Sequence, residues 1–167
     1  MLLLWTDADL ASKLPSIISQ LPAPARIFVS SSYLGKQTVA IPEAVRDQVF
    51  ITFPYRLTPY VGSKLGPTAR VPILTTAETF GDRRIASRTG AAQSQVTFQA
   101  LNQLNDNLYR DYLMDIIGMM MDQVVFDYER LSFGPGQRYA SRGCYIVQLG
   151  KGSPPALLPK SEWVILN

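Results

Sequence analysis

Three short hydrophobic runs mark the first third of the chain. They are Leu2 to Trp5, Ile27 to Val29 and Val49 to Phe53, none longer than five residues. Unbroken apolar runs of this length are typical of strands in a parallel sheet. Between the first two runs, apolar residues recur at helical spacing at Leu10, Leu14, Ile17 and Ile18. The pattern predicts a βαβ unit followed by a third parallel strand.

Helix-boundary residues accompany this pattern. Asp7 precedes the first helical stretch and is a suitable N-cap, because its carboxylate can accept a free backbone N–H. Pro15 falls within that stretch and predicts either a kink or a later start, because proline lacks the backbone donor. Pro42 stands where a first helical turn tolerates proline, ahead of the third strand.

The middle of the chain differs from the first third in composition and in the spacing of its apolar residues. From Pro54 to Gly81 prolines and glycines are frequent, which predicts a long irregular crossing between lobes. Helical spacing returns from Asp82 to Met121, with a predicted bend at 105–107. The run Met119 to Met121 fits either a core or an interaction surface.

The segment from Tyr128 through Gln148 predicts an antiparallel hairpin. Its SFGPG stretch has Pro135 between Gly134 and Gly136, and these residues favour chain reversal. β-Branched and aromatic residues follow from Cys144. After a turn signal at 150–155, Trp163 to Leu166 is a last short strand.

Composition excludes several classes of protein. The chain has 167 residues, enough for one domain or two small lobes, and its net charge of +3 is spread along its length without a basic block. We therefore expect no nucleic-acid partner. The single cysteine, Cys144, cannot form an intrachain disulfide, and its apolar neighbours predict a small buried residue. The N-terminal MLLLW run lacks a basic flank and is too short for a signal peptide or a membrane span.

An enzyme is the less favoured interpretation. Histidine is absent, which excludes Ser-His-Asp catalytic triads and Cys-His catalytic dyads and removes the commonest metal ligand. A nucleophile at Ser31 or Ser32 would depend on a lysine such as Lys36, and the Gly-x-Ser-x-Gly elbow is missing. We expect no catalytic residue, no metal and no cofactor.

The order of the segments supports a named resemblance. LLLWTDADL, ARIFVSSSYLG, DQVFITFPYRLTP, VTFQALNQLNDNLYRDYLMDIIGMM and YERLSFGPGQRYASRGCYIVQLG follow one another along the chain. This succession resembles the C-terminal half of a type I periplasmic solute-binding protein, of the branched-chain amino acid and amide receptors of ABC importers (Leu/Ile/Val-binding-protein-like). The resemblance covers nearly the whole chain.

The resemblance implies a partial α/β fold of the periplasmic-binding-protein type I, with a parallel sheet, flanking helices and a C-terminal antiparallel hairpin. It divides the chain into a second-lobe portion (1–53), a hinge crossing with first-lobe helices (54–127) and a return hairpin (128–167). The implied function is capture of an amino acid, amide or similar small polar solute for an ABC permease in the periplasm.

Candidate ligand-binding residues follow the second and third strands. In open α/β sheets ligands bind beyond the carboxyl ends of parallel strands, where Ser31, Ser32 and Tyr33 are expected. The alternative for these serines is a hydroxyl-capped βα turn. By resemblance Tyr55 lies at the hinge, either at the ligand or in hinge packing. Arg138 and Arg142 fit either an anion contact or a solvated basic loop.

The matched family has a first-lobe sheet that precedes the region found here. If the apolar faces of the 82–121 helices pack on such a sheet in the family, another surface must bury them here. Apolar surface left in water costs about 25 cal/mol of free energy for each Å². We therefore expect a homodimer, a swapped dimer or a partner that carries the first lobe. The alternative function is a stand-alone sensor or protein-interaction half that dimerises and binds no small solute.

Overall fold

The computed structural model describes residues 1–4, 9–57, 82–104, 106, 108–125, 127–134, 137 and 139–165. Its strands are β1 (Leu2–Leu4), β2 (Ile27–Ser30), β3 (Val49–Phe53), β4 (Gln123–Val125), β5 (Tyr128–Leu131), β6 (Gly143–Leu149), β7 (Leu157–Pro159) and β8 (Val164–Ile165). Its helices are α1 (Leu10–Ser19), α2 (Ser31–Leu34), α3 (Asp82–Leu104) and α4 (Arg110–Met119), with 3-10 helices at Gly35–Ala40 and Glu43–Gln48. The protein is therefore a mixed α/β protein, as the sequence predicts.

The chain forms two compact units. Of the described residues, the first unit contains Met1–Phe53, 82–85 and Cys144–Val164, and the second contains 54–57, Ala86–Gly143 and Ile165. The chain thus passes from the first unit to the second at the end of β3 and again within α3, after Ile85, and it returns to the first unit at the start of β6.

The first unit is built on one sheet with the order β1-β2-β3-β6-β7, and β8 also pairs with β6. β1, β2 and β3 are parallel neighbours, with Leu4 opposite Val29 and Ser30 opposite Thr52. The predicted parallel sheet is confirmed for these strands. β6 is antiparallel to β3 and β7 is antiparallel to β6.

One face of this sheet holds the core of the first unit. Along β2 and β3 buried side chains alternate with half-buried ones, as the two-residue repeat of a strand requires. The buried set is Ile27, Val29, Val49, Ile51 and Phe53. On the opposite face the rings of Phe28 and Phe50 stack at 5.2 Å between centroids. This opposite face is only partly covered, although unbroken apolar runs are typical of strands buried on both faces.

Helix α1 contributes Leu10, Ala11 and Leu14 to the buried part of the first unit. Pro15 lies inside the helix, which continues to Ser19. The predicted N-cap, Asp7, lies outside the described residues; the residue directly before the helix is Asp9, whose side chain forms no cap hydrogen bond.

A buried arginine joins two connections of the first unit. Arg46 is 8% exposed, and its Nε donates to the Ile41 carbonyl at 3.0 Å. Its Nη1 donates to the carbonyls of Gly150 and Gly152, at 2.9 and 3.1 Å. The guanidinium satisfies three backbone acceptors, and so fixes the turn between β6 and β7 against the β3 connection.

The second unit has α3 and α4 packed with a two-stranded antiparallel sheet, β4-β5. The two predicted helices between Asp82 and Met121 are confirmed. Buried residues of α3 recur every four positions, which makes one stripe along the helix. The buried cluster is Ala92, Val96, Ala100, Leu104, Ile116, Met120, Val125 and Leu131. Of the three consecutive methionines only Met120 is in the core, while Met119 and Met121 are exposed.

The predicted hairpin between Tyr128 and Gln148 is wrong in its strand pairing. The chain does reverse: Ser132 N–H donates to the Ala140 carbonyl at 2.8 Å, and Leu131 and Ser141 form an isolated antiparallel bridge. Beyond that bridge the two arms have other partners. β5 pairs with β4, which is two residues away along the chain, so loop closure costs little. β6 pairs with β3, where Val147 is buried in the larger sheet.

Among the described residues, no helix is long and apolar enough to cross a membrane.

Candidate functional site

The carboxyl ends of β2 and β3 lie next to each other at one edge of the first unit's sheet. Ser30 ends β2 and pairs with Thr52, the penultimate residue of β3. The residues after β1, 5–8, lie outside the described residues. Because parallel strands end at the same edge, the polar segment after Ser30 occupies the usual ligand position of an open α/β sheet.

The three predicted residues after β2 differ in their exposure. Ser31, Ser32 and Tyr33 all belong to the single-turn helix α2. Ser31 is 2% exposed, whereas Ser32 and Tyr33 are exposed to solvent. Successive side chains of a helix point about 100° apart, so only one of the three turns inward. Within the described part of the chain, the buried Ser31 Oγ has no hydrogen-bond partner.

A second buried hydroxyl without a partner follows in the next element. Thr38 lies in the 3-10 helix Gly35–Ala40 and is fully buried, and its Oγ1 has no hydrogen-bond partner among the described residues. The chain enters this 3-10 helix through Gly35, whose φ of +48° suits glycine far better than other residues. The Gly35 N–H donates to the Ser31 carbonyl. The sequence analysis did not single out Thr38.

Tyr55 belongs to the second unit, so the structure divides the predicted ligand-binding residues between the two units. Its ring is 8% exposed and meets the ring of Tyr128 edge-on at 5.3 Å between centroids. The same two residues form an isolated antiparallel bridge. Next to it, the Arg56 N–H donates to the Asp127 carbonyl at 2.6 Å. Most of the Tyr55 side chain is therefore committed to packing.

An open groove with a volume of about 380 Å³ lies in the second unit. Its lining includes Ala92 and Val96 of α3, Tyr128 and Leu131 of β5, and Phe133 and Ala140 of the segment after β5. Sequence reasoning missed this groove. The apolar stripe of α3 was predicted, but the placement of Phe133 and Ala140 beside it was not, because these residues are distant from α3 in sequence.

Polar contacts hold the segment that contributes Phe133 and Ala140 to the groove. Gln137 Nε2 donates to the carbonyls of Ser132 and Tyr139. Gln137 Oε1 accepts a hydrogen bond from Arg142 Nη2 at 2.7 Å. Arg142 is thus an exposed residue that supports this segment, and Arg138 lies outside the described residues.

The remaining reactive side chains do not gather into one centre. Cys144 is half-buried in β6 rather than fully buried, and desolvation raises the pKa of its thiol. Lys36, the base considered for Ser31 or Ser32, is exposed. No group of three or more His, Cys, Asp or Glu side chains that could hold a metal occurs in the described part of the chain.

Comparison of the chain with protein-family models, with curated proteins and with solved structures found no match. The resemblance to type I solute-binding proteins therefore rests on the order of sequence segments alone.

Proposed function

We propose that the chain is the C-terminal part of a non-catalytic solute-binding protein of the type I periplasmic class, which delivers a small polar solute to an ABC permease. The solute class is an amino acid, an amide or a urea-like molecule. The compartment of such a receptor is the periplasm.

The single observation that carries this proposal is the buried, unpartnered hydroxyl of Ser31 at the carboxyl end of β2. Leaving a buried polar group without a partner costs about 1–3 kcal/mol. Ser31 Oγ is covered in this structure, so a solute reaches it only when the residues that cover it move aside. A solute that then donates a hydrogen bond to Ser31 Oγ removes this cost, and an amide or ammonium group is such a donor. Ser32 and Tyr33 supply further polar and aromatic groups beside it.

The connections between the two units also support the proposal. β3 leads out of the first unit after Phe53, and β6 leads back into it at Cys144. These strands are hydrogen-bonded neighbours, with Phe53 opposite Tyr145. The chain also crosses between the units within α3, after Ile85. The two adjacent strand connections can act together as a hinge, and hinge closure around a ligand is how two-lobed receptors signal capture.

The test is a titration of the purified chain with L-leucine, L-valine, acetamide and urea, in which NMR chemical shifts report binding. We expect at least one of these solutes to shift the Ser31 and Ser32 amides, with low affinity because a small ligand depends on being largely enclosed. Ser31→Ala should weaken that binding, whereas the control Ser19→Ala, at the exposed end of α1, should not. Binding that is equal in wild type and Ser31→Ala contradicts the proposed site, and no response to any solute contradicts the proposed function.

A second candidate function is a protein-interaction half that dimerises and needs no solute. It is favoured by the large apolar side chains that the second unit exposes, which include Phe98, Leu108 and Met119 at 66%, 76% and 70%. Apolar side chains exposed in such numbers are typical of interaction surfaces. Light scattering on the same sample separates the two functions, because this candidate requires a dimer whose mass does not respond to solutes.

A further inference from the structure

We propose that the groove of the second unit is a separate binding site for a small neutral aromatic molecule that carries one hydrogen-bond donor. Its volume of about 380 Å³ falls within the range of about 300–1,000 Å³ typical of small-molecule sites. The site is distinct from the Ser31 site, because every residue that lines the groove belongs to the second unit.

The residues that line the groove favour an aromatic ring. Val96 and Leu131 are buried members of the core cluster, and Tyr128 and Phe133 pack against that cluster. Aromatic rings of a ligand and of the protein associate favourably in edge-to-face and offset arrangements. A flat apolar ring would cover side chains that otherwise face water in the groove.

The charge of the ligand follows from the side chains around it. Among the described residues that line the groove, none carries a charge. A carboxylate or ammonium group buried there would have no ionic partner among the described residues that line the groove, and an unpaired buried charge is strongly disfavoured. The groove therefore selects a neutral molecule, unlike the zwitterionic amino acids considered for the first unit.

The polar groups of the groove define where a donor would be recognised. Ser141 lines the groove, and its Oγ already donates its proton to the Gly143 carbonyl at 3.1 Å. The same oxygen keeps lone pairs that can accept a hydrogen bond. Thr97 and Gln93 of α3 also line the groove and are exposed. An indole N–H, a phenol or a primary amide has the donor that Ser141 can accept.

Indole and indole-3-acetate are a matched pair of probes, since they share a ring and differ in charge. We expect indole to shift the methyl resonances of Ala92, Leu131 and Ala140 in the full chain. We expect indole-3-acetate to bind at least about tenfold more weakly, because its carboxylate would be desolvated without a partner. Absence of indole binding, or equal binding of the two probes, would overturn the proposal.

Two tryptophan substitutions on α3 test the location. Thr97→Trp places a ring over the groove at an exposed position, so the core is kept, and it should weaken indole binding at least about tenfold. Ser94→Trp adds the same ring to an exposed residue that does not line the groove, and should leave binding unchanged. Ser31→Ala should also leave it unchanged, which separates this site from the proposed solute site. Undiminished indole binding by Thr97→Trp overturns the proposal. If the wild-type chain is a dimer and Thr97→Trp is a monomer, the proposal is also overturned, because a second copy of the chain then covers the groove.

Discussion

The two units cover their apolar residues to different extents. In the first unit the sheet brings together strands that are far apart in sequence, and the buried side chains of β2 and β3 are 0–1% exposed. In the second unit the buried cluster of described residues includes the small residues Ala92 and Ala100 and lies beside an open groove. The first unit thus buries one face of its sheet, whereas the second leaves apolar side chains lining a groove that is open to a ligand or a partner.

The charged side chains of the two units also differ in how far they are buried. Arg46 of the first unit is buried and satisfies three carbonyls. In the second unit, Arg130 forms an exposed ion pair with Asp122, at 2.8 Å between Nη2 and Oδ2. Exposed pairs contribute little because water and salt screen them. We therefore expect the first unit to be the more sensitive to substitution.

The largest expected effect comes from deleting equivalent atoms from the two cores. Ile51 is fully buried in β3, and Ile116 is buried in α4 at 4% exposure. Ile51→Ala should cost about 4 kcal/mol of unfolding free energy and Ile116→Ala about 2, because a less tightly packed site relaxes around the lost volume. Urea unfolding measures both, with Trp163 fluorescence reporting the first unit and far-UV circular dichroism reporting the helices.

The control for this pair is Leu3→Ala, which removes an exposed side chain of β1 and should cost less than about 1 kcal/mol. The difference between the units would be disproved if Ile116→Ala cost as much as Ile51→Ala.

A smaller effect is expected from two buried serines. Ser132 Oγ accepts the Asp122 N–H at 3.0 Å and lies 3.3 Å from Asp122 Oδ1, whereas Ser31 Oγ has no partner among the described residues. Ser132→Ala should therefore lower the unfolding free energy by about 1 kcal/mol. Ser31→Ala should leave it unchanged or raise it, since it removes an unsatisfied buried group. Thermal or urea unfolding without added solute measures both, and a loss on Ser31→Ala equal to that on Ser132→Ala would show that the Ser31 hydroxyl is already satisfied.

The fold could be predicted from the sequence only in part. The positions of strands depend on local sequence, whereas the pairing of strands depends on the whole chain. Local apolar runs located β2 and β3, and helical spacing located α1 and the two helices of the second unit. The choice of partners for β5 and β6 depends on which pairing buries more surface across the whole chain. No local pattern around Gly134 encodes that choice, so the hairpin prediction was wrong in its pairing.

The candidate site could also be predicted from the sequence only in part. The position of Ser31, Ser32 and Tyr33 after a parallel strand followed from the order of segments. Their different burial did not, because the turn of α2 decides which side chain faces inward. Packing was one of the two alternatives expected for Tyr55, but its partner Tyr128 was not predicted, because the two residues are distant in sequence.

The smallest expected effect concerns the exposed ion pair of the second unit. Hydrogen bonding from Arg130 is the main cause that holds the pKa of Asp122 below its ordinary value of 3.8. A carboxylate with a lowered pKa in the folded state stabilises the fold at pH values above its unfolded pKa, and this contribution is lost as the pH falls through the folded pKa. Asp122→Asn should thus slightly lower the melting temperature at neutral pH, and the difference from wild type should shrink as the pH falls below about 4.

Asparagine suits this test because the backbone of Asp122 has a φ of +52°, which asparagine tolerates better than most residues. Arg130→Met removes the partner and should reproduce both the small loss and its disappearance in acid. Asp115→Asn, at an exposed aspartate of α4, is the charge-matched control and should not reproduce them. A difference between wild type and Asp122→Asn that stays constant down to the acid limit of folding would mean that the carboxylate acts through shape, in the same manner as the buried contacts of the first unit.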